Sequence, residues 1–309
     1  MRGLVGYTGF VGSSLYTPER FDRAYNTKNI ESAYGTKPDL LVYAGVRAEK
    51  YLANARPDED MKSILEAEQT IEKIDPQKLV LISTIDVFNC PVMVDERSEI
   101  DTKCLHPYGY NRYQLERWVR EQYPDALIVR LPGLFGKNLK KNFIYDYIKR
   151  IPFSLNSSKF EELSAQDSDI KEYYCIQNNG FYQQRNLSFH ERSILKQKLE
   201  KLGFTALNFT DSRSVYQFYD LQNLWGDIQT ALKEDIRLLH AATEPIAAGE
   251  LYGFLSGEPF KNELDGMPAY YDFRTIYDKL FGGGNGYIYN KEQVREAVRN
   301  FVETYKEQI

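Results

Sequence analysis

The chain has 309 residues, 42% of them hydrophobic and 27% charged, with a formal net charge of −5. That length suits one large α/β unit or a nucleotide domain with a smaller lobe, and no apolar stretch reaches membrane-spanning length, which excludes a helical membrane protein. An acidic balance without a basic stripe argues against nucleic acid as a partner; three scattered histidines (His106, His190, His240) predict no metal site, and three dispersed cysteines (Cys90, Cys104, Cys175) read as reduced cytoplasmic thiols.

Met1-Arg2-Gly3 runs directly into an apolar pair, Leu4-Val5, so no secretory leader is expected. There follows Gly6-Tyr7-Thr8-Gly9-Phe10-Val11-Gly12 and then Ser13-Ser14-Leu15, a strand that turns sharply into a helix on three glycines. Such a turn is a cradle for a nucleotide pyrophosphate. Gly6 permits the turn, Gly9 lets the main chain approach the phosphates, and Gly12 lets the helix pack on the strand. Phe10 and Val11 stand between the last two glycines, just before the helix expected to start at Ser13-Ser14-Leu15, whose free N–H groups face the anion. The cofactor-binding set therefore starts with Gly6, Gly9, Phe10, Val11 and Gly12.

The second strand is expected at Arg23-Ala24-Tyr25-Asn26. Dinucleotide folds end this strand with an acid for the ribose diol or with a basic residue for a 2′-phosphate. No acid follows Tyr25, whereas Asn26, Thr27 and Lys28 can hold a phosphate, which favours NADP over NAD. A plain polar loop with a solvated lysine is the competing reading.

Buried parallel strands are predicted at 39–45, 78–84 and 126–131, with helical periodicity over 61–74 and 112–122 between them. This alternation predicts a doubly wound, Rossmann-like parallel sheet covered on both faces, with ligands at the carboxyl ends of its strands. Residues 160–202 read as a polar, helical insertion without core strands. Strand character returns at 214–224 and 236–242, and an amphipathic helix is expected over 291–308. The predicted organisation is a dinucleotide domain over 1–150, completed by about 212–243, with a smaller, mostly helical substrate lobe from 151–211 and 244–309.

Ser83-Thr84-Ile85-Asp86-Val87-Phe88 closes the strand at 78–84, and Pro107-Tyr108-Gly109-Tyr110-Asn111-Arg112 begins the helix beyond it. With the glycine turn, Arg130-Leu131-Pro132-Gly133-Leu134-Phe135-Gly136 and Ser214 to Leu221, the chain resembles the extended short-chain dehydrogenase/reductase family of sugar-nucleotide epimerases, dehydratases and reductases. The resemblance runs nearly end to end and is weakest at 160–202. It implies an NAD(P)-dependent enzyme acting on a nucleotide sugar or similar carbonyl or alcohol, with Thr84 as the hydroxyl residue and Tyr108 as acid/base. It also implies that Ala44-Gly45 is the small pair on which the cofactor lies, and that relatives pair as homodimers through helices matching 61–74 and 112–122, with Tyr113 and Trp118 as candidate anchors.

A free phenol ionises near pH 10, so a tyrosine base needs a cation beside it. Residues i and i+4 share a helix face, and the fourth residue after Tyr108 is Arg112, where the family has lysine. Arginine keeps the charge and can fork to ribose hydroxyls, but it surrenders no proton. Either Arg112 serves the same catalytic and cofactor-binding role, or the chain is a dinucleotide-binding regulatory or structural protein with little turnover. Reduction of a non-sugar carbonyl is a third reading.

Overall fold

The computed structural model describes residues 1–307. The chain forms two compact units, one from Met1–Leu139, Tyr216–Ile246 and Tyr270–Val294, the other from Lys140–Val215, Ala247–Ala269 and the chain from Arg295. The first is an α/β unit on a six-stranded sheet. Its first five strands are β1 (Arg2–Val5), β2 (Arg23–Tyr25), β3 (Leu40–Tyr43), β4 (Leu79–Thr84) and β5 (Leu127–Leu131). In space the order is β2, β1, β3, β4, β5 and then Leu238–His240, with every neighbouring pair parallel. The chain leaves β1 toward one edge and returns to its other side as β3, so the strand order reverses between β1 and β3, the switch point at which ligands bind such sheets.

The helices follow from local chemistry. They are α1 (Phe10–Leu15), α2 (Lys50–Ala55), α3 (Pro57–Ile74) and α4 (Pro107–Gln122). Both α3 and α4 start on a proline at the position where a missing N–H costs nothing. Asp58, Glu59 and Asp60 fill the first turn of α3, where the helix dipole favours acids, and Asp75 ends it in the left-handed conformation. One face of the sheet is covered by Ile64, Ile71, Leu115 and Val119 of α3 and α4. The other packs against Leu15 and against Leu224, Trp225 and Ile228 of the helix Leu224–Lys233. β5 is buried along its whole length, as a strand covered on both faces should be.

The second unit departs from the sequence expectation. Residues 160–202 do hold helices, Ser157–Gln166 and Phe189–Lys201, the latter opened by a reciprocal Ser188–Glu191 capping box. They also hold two strands, Tyr174–Ile176 and Tyr182–Gln184, which join Ser154–Leu155 in a three-stranded antiparallel sheet. Leu155 and Tyr174 are buried with Phe160, Leu163, Leu195 and Leu199, and Phe160 stacks on Tyr182 at 3.6 Å. At three residues each, the strands are too short for periodicity to reveal them. The terminal helix runs Lys291–Glu307, and Gln308 lies outside the described residues.

Candidate active site

The glycine turn after β1 is a backbone-on-backbone construction. Gly6 has φ 89°, its N–H donates to the Tyr25 carbonyl at 2.8 Å, and a Cβ there would meet the Ala44 carbonyl oxygen at 2.4 Å. A Cβ on Gly12 would lie 2.1 Å from the Gly6 carbonyl oxygen, so α1 can sit this close only on glycine. Gly9 differs. It is exposed, precedes α1, and a Cβ on it would have a single neighbour within 4 Å, the Gly6 carbonyl at 3.3 Å. The space over Gly9 is open to a ligand where the other two glycines face protein. These residues fit a pyrophosphate. Phe10 and Val11 are half-buried in the first turn of α1, with both side chains packed on the core.

Ala44 and Gly45 follow β3 directly, with the Ala44 N–H donating to the Val5 carbonyl at 2.9 Å. At the end of β2, the Asn26 side chain is held within its own loop. Its carbonyl oxygen accepts from the Lys28 N–H at 2.8 Å, and its Nδ2 lies 3.3 Å from the Tyr7 hydroxyl. Lys28 is exposed. Thus Asn26 shapes the loop and Lys28 is its outward cation.

The second centre lies where β4 ends. Gly109, in the first turn of α4, would place a Cβ 2.1 Å from the Asp86 carbonyl oxygen, so the helix start is pressed against the segment after β4. His106 caps that helix, accepting from the Gly109 N–H at 3.0 Å through Nδ1, and Asn54 of α2 accepts the Tyr108 N–H at 3.0 Å. Tyr108 is buried, its hydroxyl engaged by that of Thr84, and the Arg112 guanidinium lies over its ring at 4.1 Å from the centroid. The structure therefore brings Thr84, Tyr108 and Arg112 into one cluster.

Arg112 is not a free cation in that cluster. Its Nη1 donates to the Asp60 carboxylate and its Nη2 to the Arg47 carbonyl, while Asn111 Nδ2 donates to the same carboxylate at 2.9 Å. Across the phenol, the Asp86 carboxylate pairs with Lys50 Nζ at 3.1 Å and accepts from the Tyr271 hydroxyl at 3.3 Å. Burial raises the proton affinity of Tyr108 above its ordinary value. Arg112 works the other way, but Asp86 and Asp60 oppose it. In sum the buried phenol holds its proton more tightly than a free one. Burial together with Lys50 pushes the His106 pKa down.

A buried network holds the frame. Glu116 of α4 accepts from Arg130 Nε at 3.0 Å and Nη2 at 2.6 Å, and from Ser83 Oγ at 2.6 Å. Arg130 Nη1 lies 3.1 Å from His240 Nε2, while His240 Nδ1 faces the Arg274 carbonyl at 2.9 Å. An arginine donates only, so Nε2 is the acceptor and the proton resides on Nδ1, an assignment from the network. Burial and the neighbouring Arg130 push the His240 pKa down to about 3. These bonds tie β4, α4, β5 and the last strand together one residue before Thr84.

Asp60, Lys50 and Asn54 had no signal in the sequence beyond ordinary helix surface, and Asp60 reads there as one of three dipole acids. Of the two aromatic residues expected to face a partner subunit, Tyr113 packs inward against a cluster with Ile85, Val87 and Phe88. Trp118 sits half-buried 5.9 Å from Tyr123, and Leu65 and Tyr110 are the large hydrophobic side chains that α3 and α4 expose.

No family model and no curated protein matches the chain. Solved structures resemble it in fold. A dTDP-4-dehydrorhamnose reductase from Clostridium acetobutylicum is 12% identical with a TM-score of 0.63, over 99% of this chain and 100% of that one. The enzyme of that name from Bacillus anthracis, in complex with NADP, is 16% identical with a TM-score of 0.61, over 98% and 97%. A UDP-glucose 4-epimerase from Thermotoga maritima, with UDP-glucose, is 13% identical with a TM-score of 0.63, over 100% and 99%. At these identities the likeness carries the Rossmann-like fold.

Proposed function

We propose that the chain is a nicotinamide-dinucleotide-dependent enzyme of the extended short-chain dehydrogenase/reductase type, acting on a nucleotide sugar. The observation that carries this reading is the cluster of Thr84, Tyr108 and Arg112 on the same sheet edge as a glycine turn left open over Gly9. The solved structures of similar fold are named as sugar-nucleotide reductases and epimerases, which supports the substrate class. Gly6, Gly9 and Gly12 would carry the pyrophosphate, with Ala44-Gly45 beneath the cofactor. Lys28 favours NADP through a 2′-phosphate.

A bound nicotinamide dinucleotide supplies or accepts the hydride. The protein's own part is to hold the reacting oxygen by Thr84 and move one proton at Tyr108 Oη, an effect worth roughly 10²- to 10⁴-fold in rate. Arg112 braces the ring through its face. A homodimer through α3 and α4, with Leu65 and Tyr110 at its centre, belongs to the same reading, and light scattering that shows only a 36 kDa species would remove it.

The test separates binding from chemistry. Gly9→Val should abolish quenching of dinucleotide fluorescence while the circular dichroism is kept. Tyr108→Phe should bind dinucleotide as the parent does and lose most turnover on keto-sugar nucleotides. A Tyr108→Phe protein as active as the parent would overturn the catalytic assignment. The second reading, binding without turnover, is favoured by the engagement of Arg112 with Asp60, and a parent that binds dinucleotide but turns over no keto-sugar nucleotide would establish it.

A further inference from the structure

We propose that Asn54 is a positioning residue: its side-chain oxygen, held on the main-chain N–H of Tyr108, sets where the phenol stands against Thr84 and Arg112. The proposal deepens the dinucleotide-dependent reading above, on which its kinetic arm rests.

The need for Asn54 follows from how α4 begins. The first backbone N–H groups of a helix have no partner within it. Pro107 carries none, and the Tyr110 N–H already reaches the His106 carbonyl at 3.0 Å, which leaves the N–H groups of Tyr108 and Gly109. His106 caps the helix and meets one of these, the Gly109 N–H, through Nδ1 at 3.0 Å. A ring nitrogen has one lone pair to offer, so the Tyr108 N–H is left over, in a buried residue. Its acceptor is Asn54 Oδ1, 54 positions earlier in the chain, at 3.0 Å.

Asn54 comes from a segment that reaches around the phenol. The chain leaves β3 through Ala44-Gly45, gives the Arg47 carbonyl to Arg112 Nη2, pairs Lys50 with Asp86 at 3.1 Å, and presents Asn54 from α2. Arg47 and Lys50 act on Arg112 and Asp86, whereas Asn54 holds the main chain of Tyr108 itself. On another side, Gly109 stands against the Asp86 carbonyl with no room for a methyl group. That contact limits how close α4 can come; the bond to Asn54 fixes how its first turn is rotated. The hydroxyl lies at the far end of the side chain, so a small turn at the Tyr108 Cα displaces it most, and displacement of a reacting group is costly in rate. Asn54 is itself exposed on α2, so truncating it leaves no cavity and the fold should survive.

The first measurement needs neither cofactor nor substrate. In protein carrying [13Cζ]tyrosine, the resonances of Tyr108 and Tyr113 are assigned by their loss in Tyr108→Phe and Tyr113→Phe. In Asn54→Ala the Tyr108 resonance should move, because its ring shifts beneath the Arg112 guanidinium, while that of Tyr113, further along α4, stays. Asn54→Asp still accepts from the N–H and should return the resonance toward its parent position. An unmoved Tyr108 resonance would overturn the proposal. So would equal movement at Tyr113, or an Asn54→Ala chain that fails to fold, since either makes Asn54 a residue of general stability. With NADPH and a keto-sugar nucleotide, Asn54→Ala should lose about tenfold to a hundredfold in kcat, bind NADPH within about twofold of the parent, and be rescued by Asn54→Asp. A parent-like kcat, a weakening of NADPH as large as the loss in kcat, or a failed rescue would each count against it decisively. A parent that binds NADPH and turns nothing over would remove the functional reading instead, and the resonances would then decide the placement of Tyr108.

Discussion

Two arginine–carboxylate pairs are buried against α4, and they do different work. In the Arg130–Glu116 pair the side chains are 2% and 0% exposed, two guanidinium nitrogens reach one carboxylate, and Ser83 and His240 occupy further positions around it. It lies between strands and helix, and Arg120 reaches it from the surface. The Arg112–Asp60 pair is held by one guanidinium nitrogen, lies at the rim of the sheet's carboxyl edge, and turns the flat face of its arginine to a phenol. The comparison teaches that a buried ion pair whose guanidinium is spent within the fold serves structure, whereas one that leaves a guanidinium face uncovered places its charge on a neighbour.

Four measurements can break or sharpen this contrast. The largest effect is expected from Glu116→Gln, which leaves Arg130 charged in the core and should cost about 3–5 kcal/mol in urea denaturation. Asp60→Asn should cost less, about 1–3 kcal/mol, because Arg112 keeps the Arg47 carbonyl and Asp60, at 12% side-chain exposure, is less deeply buried than Glu116 at 0%. If the two losses were equal, the pairs would not differ in kind.

The third is a pH effect centred on His240. Its folded pKa of about 3 lies below the ordinary 6.5, so between those values the unfolded chain binds a proton that the fold refuses. Stability contributed by His240 is therefore full above about pH 6.5 and is lost as pH falls toward 3, with a gradient of at most about 1.4 kcal/mol per pH unit. His240→Gln should lack that gradient when parent and variant are compared by thermal melts across the window. The smallest effect belongs to Arg120→Ala. Arg120 reaches Glu116 at 3.3 Å from a side chain 44% exposed, and a loss above about 1 kcal/mol would mean that the pair depends on this outer arm.

Much of the α/β unit was legible because its signals are local. Buried strands such as Leu40–Tyr43 and Leu127–Leu131 are continuous apolar runs, and the glycine turn needs only its own three glycines and a neighbouring strand. Tyr108 and Thr84 were legible as a pair from their order along the chain. The electrostatics around them were not. Asp60 lies 52 positions before Arg112 and Arg47 65 before it, so the compensation of Arg112 exists only once α3 and the loop after β3 have packed on α4. The short strands Tyr174–Ile176 and Tyr182–Gln184 escaped for a different reason: each is three residues long, and their state is decided by pairing with one another and, for Tyr182–Gln184, with Ser154–Leu155.

Gly109 carries a consequence for how freely this site can change. Its hydrogen stands where a methyl group would press 2.1 Å from the Asp86 carbonyl oxygen, and both partners are main chain, so no rotamer can yield. A library randomised at position 109 and sorted for thermal survival should return glycine almost alone. One sorted at position 112 should admit several residues. The position next to Tyr108 is thus the least negotiable one in its neighbourhood, and variation at this centre has to come from the side chains around α4.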